Sequence, residues 1–247
     1  MARNERCPTG IEGFDSLLLG GIPRGRTILL SGGCGTGKTA FGVEFIYNGA
    51  VKYNEAGIFV ALEQNPLLLR SDMSGLGYDM EKVEREGKIR IIDGSLSKRG
   101  PDAIIKARAL YADLPVVTLP ENYKISDINS RVMELAKDIN AKRVVIDSIS
   151  SISEILNKGT ELRGTILELN YSLQDAELTS VIISDTINDE LTIPEQAMEE
   201  YVADGVVILK ANDALNTRTL RIKKMRGTKH TLKPVVFDLT PGGLKVG

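Results

Sequence analysis

Residues 24–53 read "RGRTILLSGGCGTGKTAFGVEFIYNGAVKY". "TILLSG" is a short apolar run, the pattern of a buried strand. Gly32, Gly33, Cys34, Gly35, Thr36, Gly37, Lys38 and Thr39 then fit G-x-x-x-x-G-K-[ST] without a gap. After Ala40, Phe41, Phe45, Ala50 and Val51 recur at spacings that share one helical face. Strand, glycine turn and helix in that order are what a phosphate cradle requires. Consecutive backbone N–H groups curl round phosphate oxygens where side chains would intrude, and the helix N-terminus favours the anion. Lys38 is placed to reach β- and γ-phosphates, and the Thr39 hydroxyl to ligate Mg²⁺. The candidate phosphate-binding set is therefore Gly32 through Ala40.

Outward from the cradle, "AGIFVALE" (56–63), "KIRIIDGS" (88–95), "AKRVVIDS" (141–148) and "TSVIISDT" (179–186) read as further strands. "NPLLLRSDMSGLGYD" reads as a helix ending near Gly75 or Gly77. "SDINSRVMELAKDIN" (126–140) is amphipathic, with Ser126 or Asp127 available as N-cap, and "TELRGTILELNYSLQDA" (160–176) is helical. Alternating strands and helices imply parallel crossovers with helices on both faces of a sheet. The last quarter differs. "DGVVILKANDALNTRTLRIKKMRG" reads as a hairpin, and "PVVFDLTPGGLKVG" as two more short strands. The expected fold is a three-layer α/β domain over 1–247. Its mainly parallel sheet is extended by antiparallel C-terminal strands, and residues 96–124 form a less regular loop.

Two carboxylates fall where nucleotide chemistry needs them. Asp147 closes the apolar run "RVVID", the pattern of a metal-ordering acid on a strand beside the cradle. Glu63 closes "IFVALE", at the carboxyl edge where ligands bind in such sheets. There it reads either as a general base for water or as a solvated strand end. Gln64 follows it; an amide can hold a water but cannot take its proton.

The stretch "KKMRGTKH" (223–230) gathers Lys223, Lys224, Arg226, Lys229 and the single histidine, His230. Strict alternation predicts Leu220, Ile222, Lys224 and Arg226 on one face, apolar end packed and cationic end projecting. Such a cluster is either a solvated basic edge or a claw for an anion. Since Lys38 already serves the cradle, a claw suggests another subunit's phosphates. An arginine delivered in trans can be worth about 10³–10⁵ in rate.

Bulk properties narrow the alternatives. The 247 residues carry a formal net charge of −2, which does not suggest a general nucleic-acid binder. The two cysteines, Cys7 and Cys34, make no metal or disulfide pattern and read as free thiols in a reducing compartment. No signal peptide and no run of about 18 apolar residues is visible, so a cytoplasmic protein is expected.

"CPTGIEGFDSLLLGGIPRGRTILLSGGCGTGKT", "FVALEQNP", "RVVIDSISS" and "KKMRGTKH" together resemble the KaiC-like branch of the RecA-type ATPases, from about residue 7 to 246. The resemblance implies a RecA-like core, ATP with Mg²⁺, and a homo-oligomeric, hexameric ring with nucleotide between adjacent subunits. Thr39 and Asp147 would serve the metal, and Glu63 would take the catalytic-glutamate position. Lys224, Met225, Arg226, Thr228 and His230 match residues reaching a neighbour's nucleotide, and Thr240 matches a contact near the base. Catalysis would then fall to Glu63, Lys38, Arg226 and Lys224. The chain departs at Gln64, where the family's clock protein has a second glutamate, and at Gly75 and Pro241 near the base. Nothing matches that protein's autophosphorylation sites. The expected function is slow, regulatory Mg-dependent ATP hydrolysis, its protein partner unreadable. The alternatives are an ATP-gated single-stranded DNA binder and a nucleotide-gated scaffold with negligible turnover. The DNA reading suffers because "TINDELTIPEQAMEE" (186–200) holds no lysine or arginine.

Overall fold

The computed structural model describes residues 5–96, 114–115, 117–150, 160–185 and 202–247. Near the N-terminus, β1 (Arg6–Cys7) and β2 (Ile22–Pro23) pair antiparallel around the single turn α1 (Phe14–Leu17). The cradle unit follows as β3 (Thr27–Gly32) and α2 (Lys38–Lys52). Next come β4 (Gly57–Ala61), α3 (Pro66–Gly75), α4 (Met80–Arg85), β5 (Ile89–Asp93) and β6 (Val117–Thr118). The second half contains α5 (Ile125–Asp138), β7 (Arg143–Asp147), α6 (Thr160–Asp175) and β8 (Thr179–Ser184). It closes with β9 (Gly205–Asn212), β10 (Thr217–Met225), β11 (Val235–Thr240) and β12 (Gly243–Val246).

Ten strands form one sheet in the order β12-β11-β10-β9-β3-β8-β7-β4-β5-β6. From β9 to β6 every pairing is parallel; from β9 through β10 and β11 to β12 every pairing is antiparallel. Parallel strands must be covered on both faces, which is why β3, β4 and β8 are buried at every residue. Phe41, Phe45, Phe59, Val145 and Ile183 pack on one face, and Ile58, Val60, Ile128, Val132 and Ile182 on the other. Helix α2 is buried at eleven of its fifteen residues, so it is a core helix rather than an amphipathic surface one. Gly42 lets it approach the sheet: a Cβ there would stand 2.9 Å from Val145 Cγ1.

Several local expectations change. Val51 does not share the buried face of Phe41 and Phe45; it is 52% exposed near the end of α2. Helix α5 starts one residue early, with Lys124 as N-cap; Asp127 is the third helical residue, and its carboxylate accepts from Lys124 N at 2.7 Å. The helix after Asn65 ends at Gly75, as expected, and a separate short α4 not signalled in the sequence begins at Met80. Of segment 96–124, residues 97–113 and 116 lie outside the described residues, and Val117–Thr118 pairs onto β5 as an edge strand.

The largest correction concerns β10. Its register against β9 slips between Ile222 (opposite Val207) and Lys224 (opposite Val206), leaving Lys223 as an extra, exposed residue. The alternation therefore shifts. Met225, not Lys224, joins Leu220 and Ile222 in the core, and Lys224 shares the opposite face with Val206. A single bulge defeats the one-face reading of Leu220, Ile222, Lys224 and Arg226.

Candidate functional site

Strand β3 ends at Gly32, whose Cβ would meet Leu209 O at 2.5 Å and Thr36 Oγ1 at 2.9 Å. Backbone so closely approached admits no side chain. Gly35 and Gly37 both take positive φ, 72° and 98°, and Gly37 is the N-cap of α2. No side chain caps the first turn of α2, so an anion fits its amide groups. Lys38 Nζ folds back over the loop. It donates to Gly32 O at 2.9 Å and Gly33 O at 2.8 Å, and it pairs with Asp185 Oδ1 at 2.8 Å. Thr36 Oγ1 donates to Gly33 O at 2.8 Å, tightening the turn. Cys34 is exposed on it, while Cys7 is buried, its thiol pushed up to about 11 chiefly by burial; both are free.

Strands β4 and β7 are parallel neighbours, with Ala61 opposite Asp147, so Glu63 and Asp147 emerge at the same carboxyl edge. Thr39 Oγ1 donates to Asp147 Oδ2 at 2.7 Å. A hydroxyl and a carboxylate in contact are two hard oxygen donors suited to Mg²⁺, which prefers a few protein oxygens with phosphate and water completing its shell. Among the described residues no three His, Cys, Asp or Glu side chains converge to hold an ion unaided. Burial pushes the Asp147 carboxyl up to about 6, and the charges of Glu63 and Asp185 push the same way; the Thr39 hydrogen bond and Lys38 pull it down. A cation there would relieve that strain.

Two residues that sequence reasoning missed knit the edge together. Ser148 Oγ lies 2.7 Å from Glu63 Oε1 and 2.9 Å from Asp185 Oδ2. Asp185 follows β8 and also meets Lys38, with its backbone N donating to Ser150 Oγ at 2.9 Å. The signal was available: "VIISD" repeats the apolar-run-then-acid pattern of "RVVID" on an adjacent strand. Gln64 belongs elsewhere. Its amide donates to Asp72 on α3 at 2.9 Å.

Leu239 sits where a Cβ on Gly37 would be 3.3 Å away, which brings the end of β11 and Thr240 beside the chain's own cradle. Thr240 Oγ1 donates to Gly243 O at 2.9 Å within the β11–β12 turn. Pro241 lies in the same turn, and a Cβ on Gly77 would lie 3.2 Å from its carbonyl oxygen.

The basic cluster lies at the far end of the sheet. Gly32, at the cradle, is level with Leu209, whereas Met225 is level with Gly205 and hence with Ile28. Four residues of strand separate the two levels, roughly 13 Å at about 3.3 Å each. Lys224 Nζ donates to Ala203 O at 2.6 Å, and Arg226 Nη1 reaches Asp204 Oδ1 at 3.4 Å. Thr228 Oγ1 accepts from Arg6 Nη1 at 2.6 Å, and His230 Nδ1 lies 3.0 Å from Thr228 O. The structure thus joins Lys38, Thr39, Asp147 and Glu63 at one edge, with Thr240 near the cradle, and sets Lys224, Arg226, Thr228 and His230 at the other. The segment "TINDELTIPEQAMEE" (186–200), on which the DNA reading turns, lies outside the described residues.

A family model described as "ATPase: KaiC" matches residues 7–247. The chain belongs to the KaiC ATPase family. Among solved structures, this KaiC-family chain is similar to a KaiC-like protein of Pyrococcus horikoshii. The TM-score is 0.80 at 36% identity, covering 98% of this chain and 99% of that one. It is 36% identical to a UPF0273 protein of Aeropyrum pernix over 98% of this chain and 93% of the relative. It is 33% identical to the circadian clock oscillator protein KaiC of Parathermosynechococcus lividus over 96% of this chain, but spans only 41% of that protein's length. The RecA-like three-layer fold of this family is thereby established for the chain. Among the described residues no helix is long and apolar enough to cross a membrane.

Proposed function

We propose that residues 1–247 act as one catalytic domain that hydrolyses Mg·ATP slowly, as a regulatory ATPase, in a cytoplasmic homo-hexameric ring. Gly32 to Ala40 hold the phosphates, and Lys38 leaves Asp185 for the β- and γ-oxygens. Thr39 and Asp147 hold the metal, which when bound supplies charge neutralisation at the phosphates. Ser148 fixes one oxygen of Glu63, and the other takes a proton from water. Lys224 and Arg226, with Met225, Thr228 and His230 around them, reach the adjoining protomer's nucleotide. Thr240 touches the base in its own protomer.

The observation that carries this reading is the separation of cradle and cations along the sheet. The roughly 13 Å of strand between the level of Gly32 and that of Met225 supports the reading that Arg226 serves phosphates other than its own. A head-to-tail arrangement brings one protomer's cationic edge to the next one's cradle, and such contacts form a ring where the rotation between protomers closes. Slow turnover fits Gln64, which is bound to Asp72 and offers no second base.

Mixing tests the proposal. Lys38→Ala and Arg226→Ala proteins should each release little phosphate alone. A random equal mixture should regain about a quarter of the wild-type rate, since a working site needs an intact cradle and an intact neighbour. No recovery in proven mixed assemblies would refute sharing. ATP binding without phosphate release by the wild type would favour a nucleotide-gated scaffold instead.

A further inference from the structure

Both proposed trans-acting cations are indexed by one dipeptide, Ala203–Asp204. Lys224 Nζ is bound to Ala203 O. The backbone N of Arg226 donates to Asp204 O at 2.9 Å, and its guanidinium reaches the Asp204 carboxylate. That carboxylate is completely buried. A buried carboxylate persists only when its oxygens are well satisfied. Arg26 Nη1 serves Oδ1 at 2.9 Å, while Gln174 Nε2 and Thr27 N serve Oδ2 at 2.6 and 3.3 Å. The backbone of Asp204 is itself fastened, its N donating to Thr27 O at 2.9 Å.

The charge of Asp204 is therefore held in place without Arg226. Arg226 adds the longest of these contacts, 3.4 Å, from a side chain 54% exposed. The arrangement is unequal: a rigid buried anion on one side, a half-solvated cation on the other. A long charge-assisted contact of this kind biases a flexible side chain toward one direction yet is given up cheaply. Arg226 thus starts from a narrowed set of conformers, and less ordering remains when it meets an anion.

We propose that Asp204 is the positioning residue for Arg226, pre-aiming the guanidinium that the adjoining protomer's triphosphate receives. This rests on the reading of Arg226 as a contact in trans. Asp204 touches no nucleotide; it acts through Arg226 alone, while Ala203 O aligns Lys224. Gln174 on α6 and Thr27 at the start of the cradle strand set the carboxylate's own direction.

Asp204→Asn keeps the shape and one acceptor oxygen while removing the charge. The full-length variant, assayed for phosphate release, should lose about tenfold in kcat. Its KM for ATP should stay within about twofold, because the cradle is untouched. Combined with Arg226→Ala, it should cause no further loss, since both changes remove one function. A stapling role alone would lower Tm and multiply with Arg226→Ala. Multiplicative effects, or normal kcat in Asp204→Asn beside an impaired Arg226→Ala, overturn the positioning role and leave the trans contact standing. An unimpaired Arg226→Ala sinks both. If Asp204→Asn does not fold, Gln174→Leu loosens the same carboxylate from behind. The same non-additivity with Arg226→Ala is then required, and its absence refutes the inference.

Discussion

Replacing Asp147 with asparagine should stabilise the nucleotide-free, metal-free protein at neutral pH while destroying the proposed ATPase activity. Burial and the neighbouring Glu63 and Asp185 charges move this carboxyl from 3.8 to about 6. At about 1.36 kcal/mol per pH unit, that displacement corresponds to on the order of 3 kcal/mol of cost for keeping the group ionised in the fold. The sign follows from proton counts. Between about pH 4 and 6 the folded state holds the proton more tightly than the unfolded chain, so stability falls as pH rises across that window. Above it the full cost is present; below it the cost is gone. Asparagine never ionises, and its Oδ1 can still accept from Thr39 Oγ1. Urea unfolding in EDTA should therefore show Asp147→Asn more stable than wild type at pH 7.5, by about 1–3 kcal/mol, with the gap closing near pH 4. Mg·ATP should stabilise the wild type and barely the variant. A variant less stable at pH 7.5, or a gap that does not change with pH, would refute the account of a strained acidic edge awaiting a cation.

Glu63→Gln should lower phosphate release by about 10²–10⁴-fold while nucleotide binding persists, measured by single-turnover hydrolysis beside equilibrium binding. Ser148 can still donate to its amide oxygen, so the loss would report the missing base rather than a collapsed edge. Glu55→Ala should cost about 3–5 kcal/mol in chemical denaturation. It strips the carboxylate from Arg143, a fully buried guanidinium paired with Glu55 at 2.6 Å and lying over the Phe45 ring. Little loss would mean that Arg143 is held instead by the Phe45 carbonyl, to which its Nη1 donates at 3.0 Å, and by the Phe45 and Tyr53 rings.

The parallel core and cradle were legible because their signals are local. An apolar run between turn residues becomes a strand buried on both faces, and the G-x-x-x-x-G-K-T spacing dictates its own loop. Asp147 and Glu63 were readable because each ends such a run. Lys224 and Arg226 were found by composition but assigned the wrong face, since strict alternation has no symbol for the residue that bulges at Lys223. Acids are common at N-caps, yet Lys124 holds that position here, its backbone N donating to the Asp127 carboxylate one turn on. Asp204 stayed invisible for a different reason. Its partners come from the start of β3 (Arg26, Thr27), from α6 (Gln174) and from the end of β10 (Arg226), segments far apart in sequence that only the tertiary fold brings together.

Helix α2 has almost no free side, and it begins at the lysine that grips the cradle. A helix wedged so tightly against Val145 and Ile183 cannot tilt alone when a phosphate tugs at its tip. The whole layered body must turn with it, like a key with its bow. In the proposed ring, motion between nucleotide states would then belong to the joints between subunits, where stiff pieces swivel against one another.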